Sequence, residues 1–402
     1  MNFKIIDGGV TAPKGFKAAG IAAGIKKSGK DMALIVSQQS SAVAGVFTTN
    51  KVQAAPVLLC KAVTAAGKAS AIIINSGNAN ACTGAKGSEA AALMAEFTAA
   101  GLGVEPSQVL VCSTGAIGVS LPMDIVEEGV LSITGAASVE GGQAAAEAIM
   151  TTDTVSKTAA VQLEIDGKTV TIGGMAKGAG MIEPNMATML AFLTTDADVN
   201  QSDLQECLTA ASNVSFNRIS VDGDQSTNDT VLFLANGMAG NSSLNKGHAD
   251  WASFVAAVET VAMDLAVKIV KDGEGATKFV TVNVRGAQDN IDALKVCRAI
   301  ANSLLVKTSW FGEDPNWGRV IDAVGYSGAE LDPQKIDIYY DDFCAVKDGC
   351  SAGPDVIEGI AKVIAGEEFS LSVDLNLGDG ADTVYACDCS YEYVKINSEY
   401  TT

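Results

Sequence analysis

Residues 177–192 have the sequence KGAGMIEPNMATMLAF, in which a glycine-rich segment leads through Ala187 and Thr188 into an apolar run. An apolar run bounded by turn-forming residues is typical of a buried strand, so Thr188 is predicted at a loop-to-strand junction. A self-cleaving N-terminal nucleophile enzyme places its nucleophile at such a junction. Cleavage of the Ala187–Thr188 bond would free an α-amine with an ordinary pKa of about 7.7–8.0, which can serve as general base. The alternative is an ordinary structural threonine, because glycine–alanine runs often precede strands.

The histidine content restricts the choice of catalytic base. The chain has one histidine, His248, in the polar segment 245–250. A Ser-His-Asp or Cys-His mechanism would depend on that residue alone, and we predict a solvated loop histidine instead. Histidine-rich metal sites are excluded. The nine cysteines have no framework spacing, so we expect scattered buried thiols in a reducing compartment.

Composition narrows the class of protein. The chain has 402 residues, of which 48% are hydrophobic and only 5% aromatic, as in an α/β protein packed with small aliphatic side chains. The formal net charge of −20 argues against a nucleic-acid partner, which requires a basic surface. The N-terminal segment reaches glycine at Gly8 before a secretory signal could form, and no run approaches the length of a membrane-spanning helix. We therefore expect a cytoplasmic protein with no membrane partner.

Hydrophobic periodicity predicts a mixture of strands and helices, hence an α+β fold. Strands are predicted at residues 32–36, 71–75, 109–112, 161–165, 189–194, 279–284, 336–340, 369–377 and 383–396. Helices are predicted at residues 88–100, 125–150 with a glycine interruption, 202–215, 249–271 and 288–307. Asp166-Gly167 between two alternating runs predicts a hairpin.

Two segments come close to ligand-binding motifs but lack essential residues. Residues 24–31 approach a phosphate-binding loop, yet Asp31 stands where Ser or Thr is needed and no clear strand precedes. A basic surface loop is the better interpretation. Residues 222–229 approach a calcium loop, but Thr227 replaces the required glycine and Phe233 the bidentate glutamate. We predict a polar turn that could line a site.

The segment at residues 177–192 resembles the ornithine acetyltransferase family of arginine biosynthesis, whose self-cleavage site reads K-G-[AS]-G-M-…-P-x-[ML]-A-T-M-L. The resemblance extends over nearly the whole chain. It includes CSTGAIG at 112–118, MTTDT at 150–154, DGEGATK at 272–278, GEDPNWGR at 312–319 and KINSEYTT at 395–402. No chemical role follows from the residues of segment 312–319.

The resemblance implies roles for individual residues. Thr188 would be the nucleophile, Ala187 the other side of the cleaved bond, and Thr114 with Gly115 the oxyanion hole. The implied substrate contacts are Thr151, Lys177, Thr188, Glu274, Asn397 and Thr402. The chemistry agrees, since a lysine can hold an α-carboxylate and a glycine-flanked glutamate can reach a ligand amine.

The resemblance also implies a fold and an activity. The fold would be a layered α/β sandwich of the ornithine acetyltransferase and β-aminopeptidase type, self-cleaved into an α chain, 1–187, and a β chain, 188–402. These interlocked chains would assemble as an α2β2 heterotetramer. The enzyme would transfer acetyl from N2-acetyl-L-ornithine to L-glutamate through a ping-pong acyl-enzyme, without metal or organic cofactor. Whether acetyl-CoA is also a donor is left open. A self-cleaving β-aminopeptidase-type hydrolase and a non-enzymatic amino-acid-binding protein are the alternatives.

Overall fold

The structure is a computed structural model, and it describes residues 3–183 and 189–399. Ala187, Thr188 and Thr402 lie outside the described residues. The strands are β1 Phe3–Ile6, β2 Phe16–Ile21, β3 Met32–Phe47, β4 Lys68–Asn78, β5 Val109–Ala116, β6 Lys157–Ile165, β7 Lys168–Lys177, β8 Leu190–Thr195, β9 Ile219–Ser220, β10 Thr230–Ala235, β11 Phe279–Ala287, β12 Asp337–Tyr340, β13 Phe343–Lys347, β14 Cys350–Ser351, β15 Glu368–Asp374 and β16 Gly380–Cys387. The helices are α1 Ala55–Ala66, α2 Gly84–Leu102, α3 Met123–Thr134, α4 Gly142–Ala148, α5 Gln201–Val214, α6 Trp251–Lys271, α7 Asn290–Asn302, α8 Leu304–Phe311, α9 Trp317–Gly325, α10 Ile357–Ile364 and α11 Tyr391–Glu399.

The larger sheet has the strand order β1-β6-β7-β8-β10-β3-β4-β5. Its pairs β8–β10 and β4–β5 are parallel, and its other pairs are antiparallel. Strand β3 is long enough to pair on one edge with two neighbours in turn, because β2 covers its first half and β10 its second half. Short strands therefore converge on β3 from distant parts of the chain.

Helices cover both faces of this sheet. Every residue of β10 is buried. Val231 and Phe233 contribute to a core that includes α5 and α6, whereas Leu232 and Leu234 contribute to a separate core that includes α1 and α4. Alternate residues of a strand point to opposite faces, so a strand that is buried on both faces carries a continuous apolar run. Each such side chain contributes about 1.5–3 kcal/mol on burial. The predicted layered α+β architecture is confirmed.

The second sheet has the order β14-β13-β12-β15-β11-β16-β9. Val280, Val282 and Val284 of its inner strand β11 pack against α7, α9 and α10 in one core. Strand β9 pairs in parallel with β16, so the segment after Ser220 begins at this edge of the sheet. Helix α11 follows β16. The sheet thus holds the 222–229 segment and the C-terminal helix near each other.

Several predicted elements are confirmed, with differences at their ends. The Asp166-Gly167 hairpin is present, and both residues have positive φ, 51° and 68°, as a primed turn requires. The glycine interruption predicted within the helix at 125–150 is present, and it separates two helices, α3 and α4. The helix predicted at 288–307 is divided at Ser303, whose hydroxyl caps α8 by accepting from the Val306 amide at 3.3 Å.

The strand prediction at 383–396 is wrong beyond Cys387. Residues 391–399 form α11, and the Ser390 hydroxyl accepts from the amides of Glu392 and Tyr393 at 3.2 and 3.4 Å. The alternating Tyr391 and Tyr393 resemble a strand because aromatic residues favour strands. The serine cap is the signal that could have identified the helix.

The interpretation of residues 24–31 as a basic surface loop is correct for residues 24–30, which are exposed or half-buried and form no helix or strand, but it is wrong for Asp31. Strand β2 precedes the segment, and Asp31 is fully buried. Its carboxylate accepts from the amides of Ala23, Gly24 and Lys26 at 2.6, 3.0 and 2.8 Å. The backbone of the glycine-rich segment therefore wraps around the carboxylate of Asp31 and donates to it.

No helix in the described parts of the chain is both long and apolar enough to cross a membrane.

Candidate functional site

A cleft of about 250 Å³ gathers residues from separate elements of both halves of the fold. Six of the residues predicted from sequence line it: Thr114, Gly115, Thr151, Lys177, Glu274 and Asn397. They come from the end of β5, the loop after α4, the end of β7, the loop after α6, and α11. Met189 and Leu190 also line the cleft. Ala187, Thr188 and Thr402 were predicted for this site, and they lie outside the described residues.

Parallel pairing with β4 shapes the turn at Thr114 and Gly115. Gly115 has a φ of +128°, and a Cβ atom there would overlap the backbone of Gly77. Only glycine fits this close approach. The turn is held from behind, because the Asn228 side-chain amide donates to the Ser113 carbonyl at 2.9 Å. Such a rigid strand end can hold a hydroxyl and an N–H group in the fixed positions that an oxyanion hole needs.

Lys177, the last residue of β7, is buried, with an exposure of 7%. Its ammonium donates to the Thr151 hydroxyl at 2.6 Å and lies 3.8 Å from the Asp153 carboxylate. Burial opposes ionisation of Asp153, but the cations of Lys177 and Lys157 together hold the pKa of its carboxyl well below the ordinary value. The cleft therefore presents a cation at Lys177, fixed by an anion that stays charged.

Glu274 lies in the loop after α6 and is 8% exposed. Its amide donates to the Ala179 carbonyl at 2.9 Å, and its carboxylate accepts from the Asn397 side-chain amide at 2.6 Å. A Cβ atom at Gly180 would come within 2.5 Å of this carboxylate. The glutamate is thus held between the glycine segment 178–180 and helix α11. Glu274 and Asn397, both predicted from sequence as site residues, are in direct contact.

The 222–229 segment lines the cleft, as predicted, and supplies further functional groups. The Asp222 carboxylate accepts from the amides of Met181 and Ile182 at 2.7 and 2.8 Å, and from the Tyr393 hydroxyl at 3.2 Å. Burial, reinforced by Asp222, raises the pKa of Tyr393, so this hydroxyl stays protonated and donates. Burial and Asp222 also raise the pKa of Asp224.

Sequence reasoning missed Tyr393 as a cleft residue, because it lies inside the wrongly predicted strand. The spacing of four residues between Tyr393 and Asn397 is the signal that could have placed both on one helix face. Asn228 lies in the segment predicted to line a site, but its contacts give no local signal, because its two carbonyl partners, on Ala79 and Ser113, are distant in sequence.

The segment 312–319, which resembles the ornithine acetyltransferase family, makes contacts that hold neighbouring elements together. The Asn316 side chain caps α9 by accepting from the Arg319 amide at 3.2 Å, and Arg319 donates to the Leu305 carbonyl at 2.8 Å. Glu313 pairs with Lys278 at 2.9 Å. The segment therefore joins α8 to α9 and anchors the strand that follows the Glu274 loop.

His248 does not belong to the described cleft lining. Its Nδ1 accepts from the Asp250 amide at 3.1 Å, while Nε2 lies 3.2 Å from the Asp166 carboxylate. Within the described ranges, these three residues form the only group with metal-ligand spacing. Both ring nitrogens have protein partners, so the group fastens the hairpin turn. The loop location was correct, but the side chain is partly buried rather than fully solvated. All nine cysteines are free, five of them buried.

The cleft can bind and orient a small zwitterion. Lys177 offers a cation for a carboxylate, and Glu274 offers an anion for an amine. At about 250 Å³ it falls below the range of about 300–1,000 Å³ that is usual for drug-sized ligands, which favours a single amino-acid derivative.

Comparison with known proteins extends this picture. The ArgJ family model matches residues 17–402. The arginine biosynthesis bifunctional protein ArgJ of Symbiobacterium thermophilum is 52% identical over 398 residues, covering 98% of this chain and 99% of its own. The same-named protein of Geobacter sulfurreducens is 51% identical over 391 residues, covering 97% and 99%. Among solved structures, ornithine acetyltransferase complexed with ornithine from Mycobacterium tuberculosis is 46% identical, covering 46% of this chain and 100% of its own with a TM-score of 0.43.

Proposed function

Because this chain belongs to the ArgJ family, we propose that it is an acetyltransferase of arginine biosynthesis. It transfers the acetyl group of N2-acetyl-L-ornithine to L-glutamate and yields L-ornithine and N-acetyl-L-glutamate. One observation carries the proposal: in a chain that the family model matches over residues 17–402, the residues that resemble the family's site, at 114–115, 151, 177, 274 and 397, line one cleft. We place the enzyme in the cytoplasm, which keeps thiols such as its nine cysteines reduced.

Substrate binding uses the two charged walls of the cleft. The Lys177 ammonium receives the α-carboxylate of acetylornithine in a charge-assisted contact, with Thr151 beside it. The α-amine of this substrate is acetylated, so its free amine is at the end of the side chain. Glu274 receives that amine, and Asn397 orients the carboxylate of Glu274. Thr402 is a further proposed substrate contact.

The first half-reaction forms an acyl-enzyme on Thr188. The Thr188 Oγ attacks the acetyl carbonyl carbon, and the hydroxyl proton passes to the α-amine of the same residue. The oxyanion that forms accepts hydrogen bonds from the Thr114 hydroxyl and the Gly115 amide. Collapse of the tetrahedral intermediate breaks the carbon–nitrogen bond, the departing α-nitrogen takes the proton, and ornithine leaves.

The second half-reaction returns the enzyme to its starting state. The amine of glutamate attacks the ester carbonyl, the same oxyanion hole stabilises the intermediate, and Thr188 departs with its proton restored. Glutamate occupies the cleft after ornithine has left, so both use Lys177. Ping-pong kinetics follow from this order.

The free α-amine at Thr188 requires cleavage of the Ala187–Thr188 bond. We propose that the protein cleaves itself there into an α chain, 1–187, and a β chain, 188–402, which stay associated and assemble as an α2β2 heterotetramer. The proposal is supported by the family-like sequence around the bond and by the cleft residues Met189 and Leu190 directly after it.

The activity is tested with purified protein, N2-acetyl-L-ornithine and isotopically labelled L-glutamate, with products identified by mass spectrometry. Labelled N-acetylglutamate and ornithine in equal amounts are expected. Free acetate without N-acetylglutamate would instead identify a β-aminopeptidase-type hydrolase, and no turnover would identify a binding protein. Replacing acetylornithine by acetyl-CoA determines whether acetyl-CoA is also a donor.

Maturation is tested on a denaturing gel. Wild-type protein should give two fragments, with Thr188 at the start of the second on N-terminal sequencing. Thr188→Ala should remain one inactive chain, whereas Thr169→Ala, a change on the exposed hairpin, should cleave normally. A second fragment starting elsewhere would refute the assignment of Thr188.

A further inference from the structure

A row of four buried charged side chains lies behind the cleft. Lys177, Asp153, Lys157 and Asp272 are joined in this order by ion pairs of 3.8, 2.8 and 2.5 Å. Their exposures are 7%, 8%, 1% and 8%. Among the described residues of the cleft lining, Lys177 is present and the other three are not. The acetyl-transfer mechanism gives Lys157 and Asp272 no chemical step.

One end of the row fixes the cation of the cleft. Asp153 accepts from the Gly178 amide at 2.6 Å through one oxygen and from the Thr151 amide at 3.0 Å through the other. It therefore ties together the segment containing Thr151 and the end of β7, where Lys177 is located. Since Lys177 also donates to Thr151, the position of its ammonium is determined by Asp153.

The other end of the row fixes the loop that carries Glu274. Asp272, two residues earlier, accepts from the Thr154 amide at 3.1 Å and from the Thr154 hydroxyl. It also receives the Lys157 ammonium at 2.5 Å. Lys157 thus lies between two carboxylates, one attached to the Lys177 side of the cleft and one to the Glu274 side.

Burial gives this arrangement its rigidity. Removing one partner of a buried ion pair leaves an uncompensated buried charge, so the pairs stay closed while the protein is folded. Exposed pairs contribute little and exchange readily with water. The distance between the Lys177 and Glu274 sides of the cleft, which these pairs connect through Lys157, is therefore fixed before substrate binds.

We propose that Lys157 and Asp272 are positioning residues that fix the separation between Lys177 and Glu274, and that this separation selects the side-chain length of the acyl donor. The inference rests on the proposed function, in which Lys177 receives the donor carboxylate and Glu274 its terminal amine. These two groups are separated by the methylenes of the donor side chain. A rigid separation then accepts N2-acetylornithine and rejects N2-acetyllysine, which is one methylene longer.

The test compares kcat/KM for N2-acetyl-L-ornithine and N2-acetyl-L-lysine in purified, cleaved enzyme. One methylene is ordinarily discriminated by about 10–200-fold in a fitted site, and the wild type should fall in this range. Asp272→Asn removes the negative charge that pairs with Lys157 and leaves one acceptor oxygen in place of the two that receive Thr154 and Lys157, so the tether of the Glu274 loop is weakened. The expected ratio falls at least about tenfold, toward equal use of both substrates.

Lys157→Met provides a second disruption, and Lys157→Arg restores the cation and should restore discrimination. The matched control is Lys362→Met, which removes the cation of an exposed i,i+4 pair of 2.8 Å with Glu358 and should leave the ratio unchanged. Thermal unfolding of each variant is measured alongside. If Lys157→Met does not fold, the near-isosteric Asp272→Asn still decides the question.

The outcomes separate the two levels of inference. A wild-type enzyme that transfers no acetyl group overturns the proposed function and this inference together. A wild-type enzyme that discriminates by length, with Asp272→Asn equally selective but less stable, overturns the inference alone and makes the row purely structural. Lost discrimination in the variants, with Lys157→Arg selective again, supports the positioning role.

Discussion

At the scale of single residues, two glycines in the cleft are required by close approach. Gly115 lies against the backbone of Gly77, so a side chain there would displace β4 itself. Gly180 faces the end of a flexible side chain, Glu274, which can move. The first glycine therefore preserves the turn at the end of β5, and the second preserves the position of a single carboxylate.

Thr114→Ala should lower kcat about 10²–10³-fold with little change in KM, because losing one oxyanion donor costs roughly that much. The measurement is steady-state transfer from acetylornithine to glutamate. Thr114→Ser keeps the hydroxyl and should retain most activity. A Thr114→Ala enzyme with near-normal kcat would place the oxyanion donor elsewhere.

Gly180→Ala should raise KM for acetylornithine while barely changing stability, because the new methyl group displaces the Glu274 carboxylate and leaves the backbone in place. A misplacement of about 1 Å can cost as much as about 100-fold in rate. Gly325→Ala is the control, since a Cβ there meets nothing within 4 Å. Unchanged kinetics in Gly180→Ala would show that Glu274 takes no part in substrate binding.

At the scale of elements, α11 closes one side of the cleft through two side chains. Tyr393 and Asn397 are four residues apart, so they share a face of the helix and reach Asp222 and Glu274 respectively. Ser390 starts the helix and also donates to the Gly275 carbonyl at 2.6 Å, directly beside Glu274. The helix is therefore fastened to the loop whose carboxylate it orients.

Deleting residues 397–402 should leave a folded, self-cleaved enzyme with acetyl transfer reduced about 100-fold or more. The deletion removes the 2.6 Å contact of Asn397 with Glu274 but leaves Thr114, Gly115 and Lys177 in place. A gel reports cleavage, and the transfer assay reports activity. Deleting only residues 400–402 isolates the contribution of Thr402. Full activity after the longer deletion would remove both Asn397 and Thr402 from the proposed site.

At the scale of the whole molecule, stability and site geometry depend on the same buried charges. Asp153 joins its own segment, which contains Lys157, to the end of β7, which contains Lys177. Its depressed pKa means that the folded state favours the ionised form. The unfolded chain binds a proton at higher pH than the folded protein does, so folding is linked to pH.

Asp153→Asn should reduce the free energy of unfolding by about 3–5 kcal/mol at pH 7, because two buried lysines lose their shared anion. The pKa of Asp153 is lowered in the folded state, so its contribution is complete above the unfolded pKa of about 3.9. This contribution of Asp153 to stability is lost as the pH falls below that value and through the lower pKa that Asp153 has in the folded protein. Urea unfolding at pH 7 and at pH 3 should show the difference shrinking in acid.

The control for this change is Asp264→Asn, which breaks an exposed pair with Lys268 and should cost less than about 1 kcal/mol. A deficit in Asp153→Asn that is the same at both pH values would mean that lost hydrogen bonds, rather than the charge, cause the destabilisation.

Much of the fold could be predicted because its signals are local. The apolar run that becomes β8 is buried along its whole length, and Asp166-Gly167 has the left-handed backbone that a two-residue hairpin needs. Predictions failed where two local signals compete. The tyrosines of segment 391–396 favour a strand, whereas the Ser390 cap and the contacts of Tyr393 and Asn397 decide for a helix.

The sequence by itself determined which chemistry is available. It contains one histidine, a Thr-Gly turn after an apolar strand, a lysine before a glycine segment, and a glutamate between glycines. These follow from residue type and near neighbours. Only the tertiary structure decided that these groups share one cleft, that Asp222 and Tyr393 join them, and that Lys157 and Asp272 stand behind them. Strand order and helix placement bring such residues together from distant parts of the chain, and a buried ion pair has no local sequence signature because its partners meet only when the core closes.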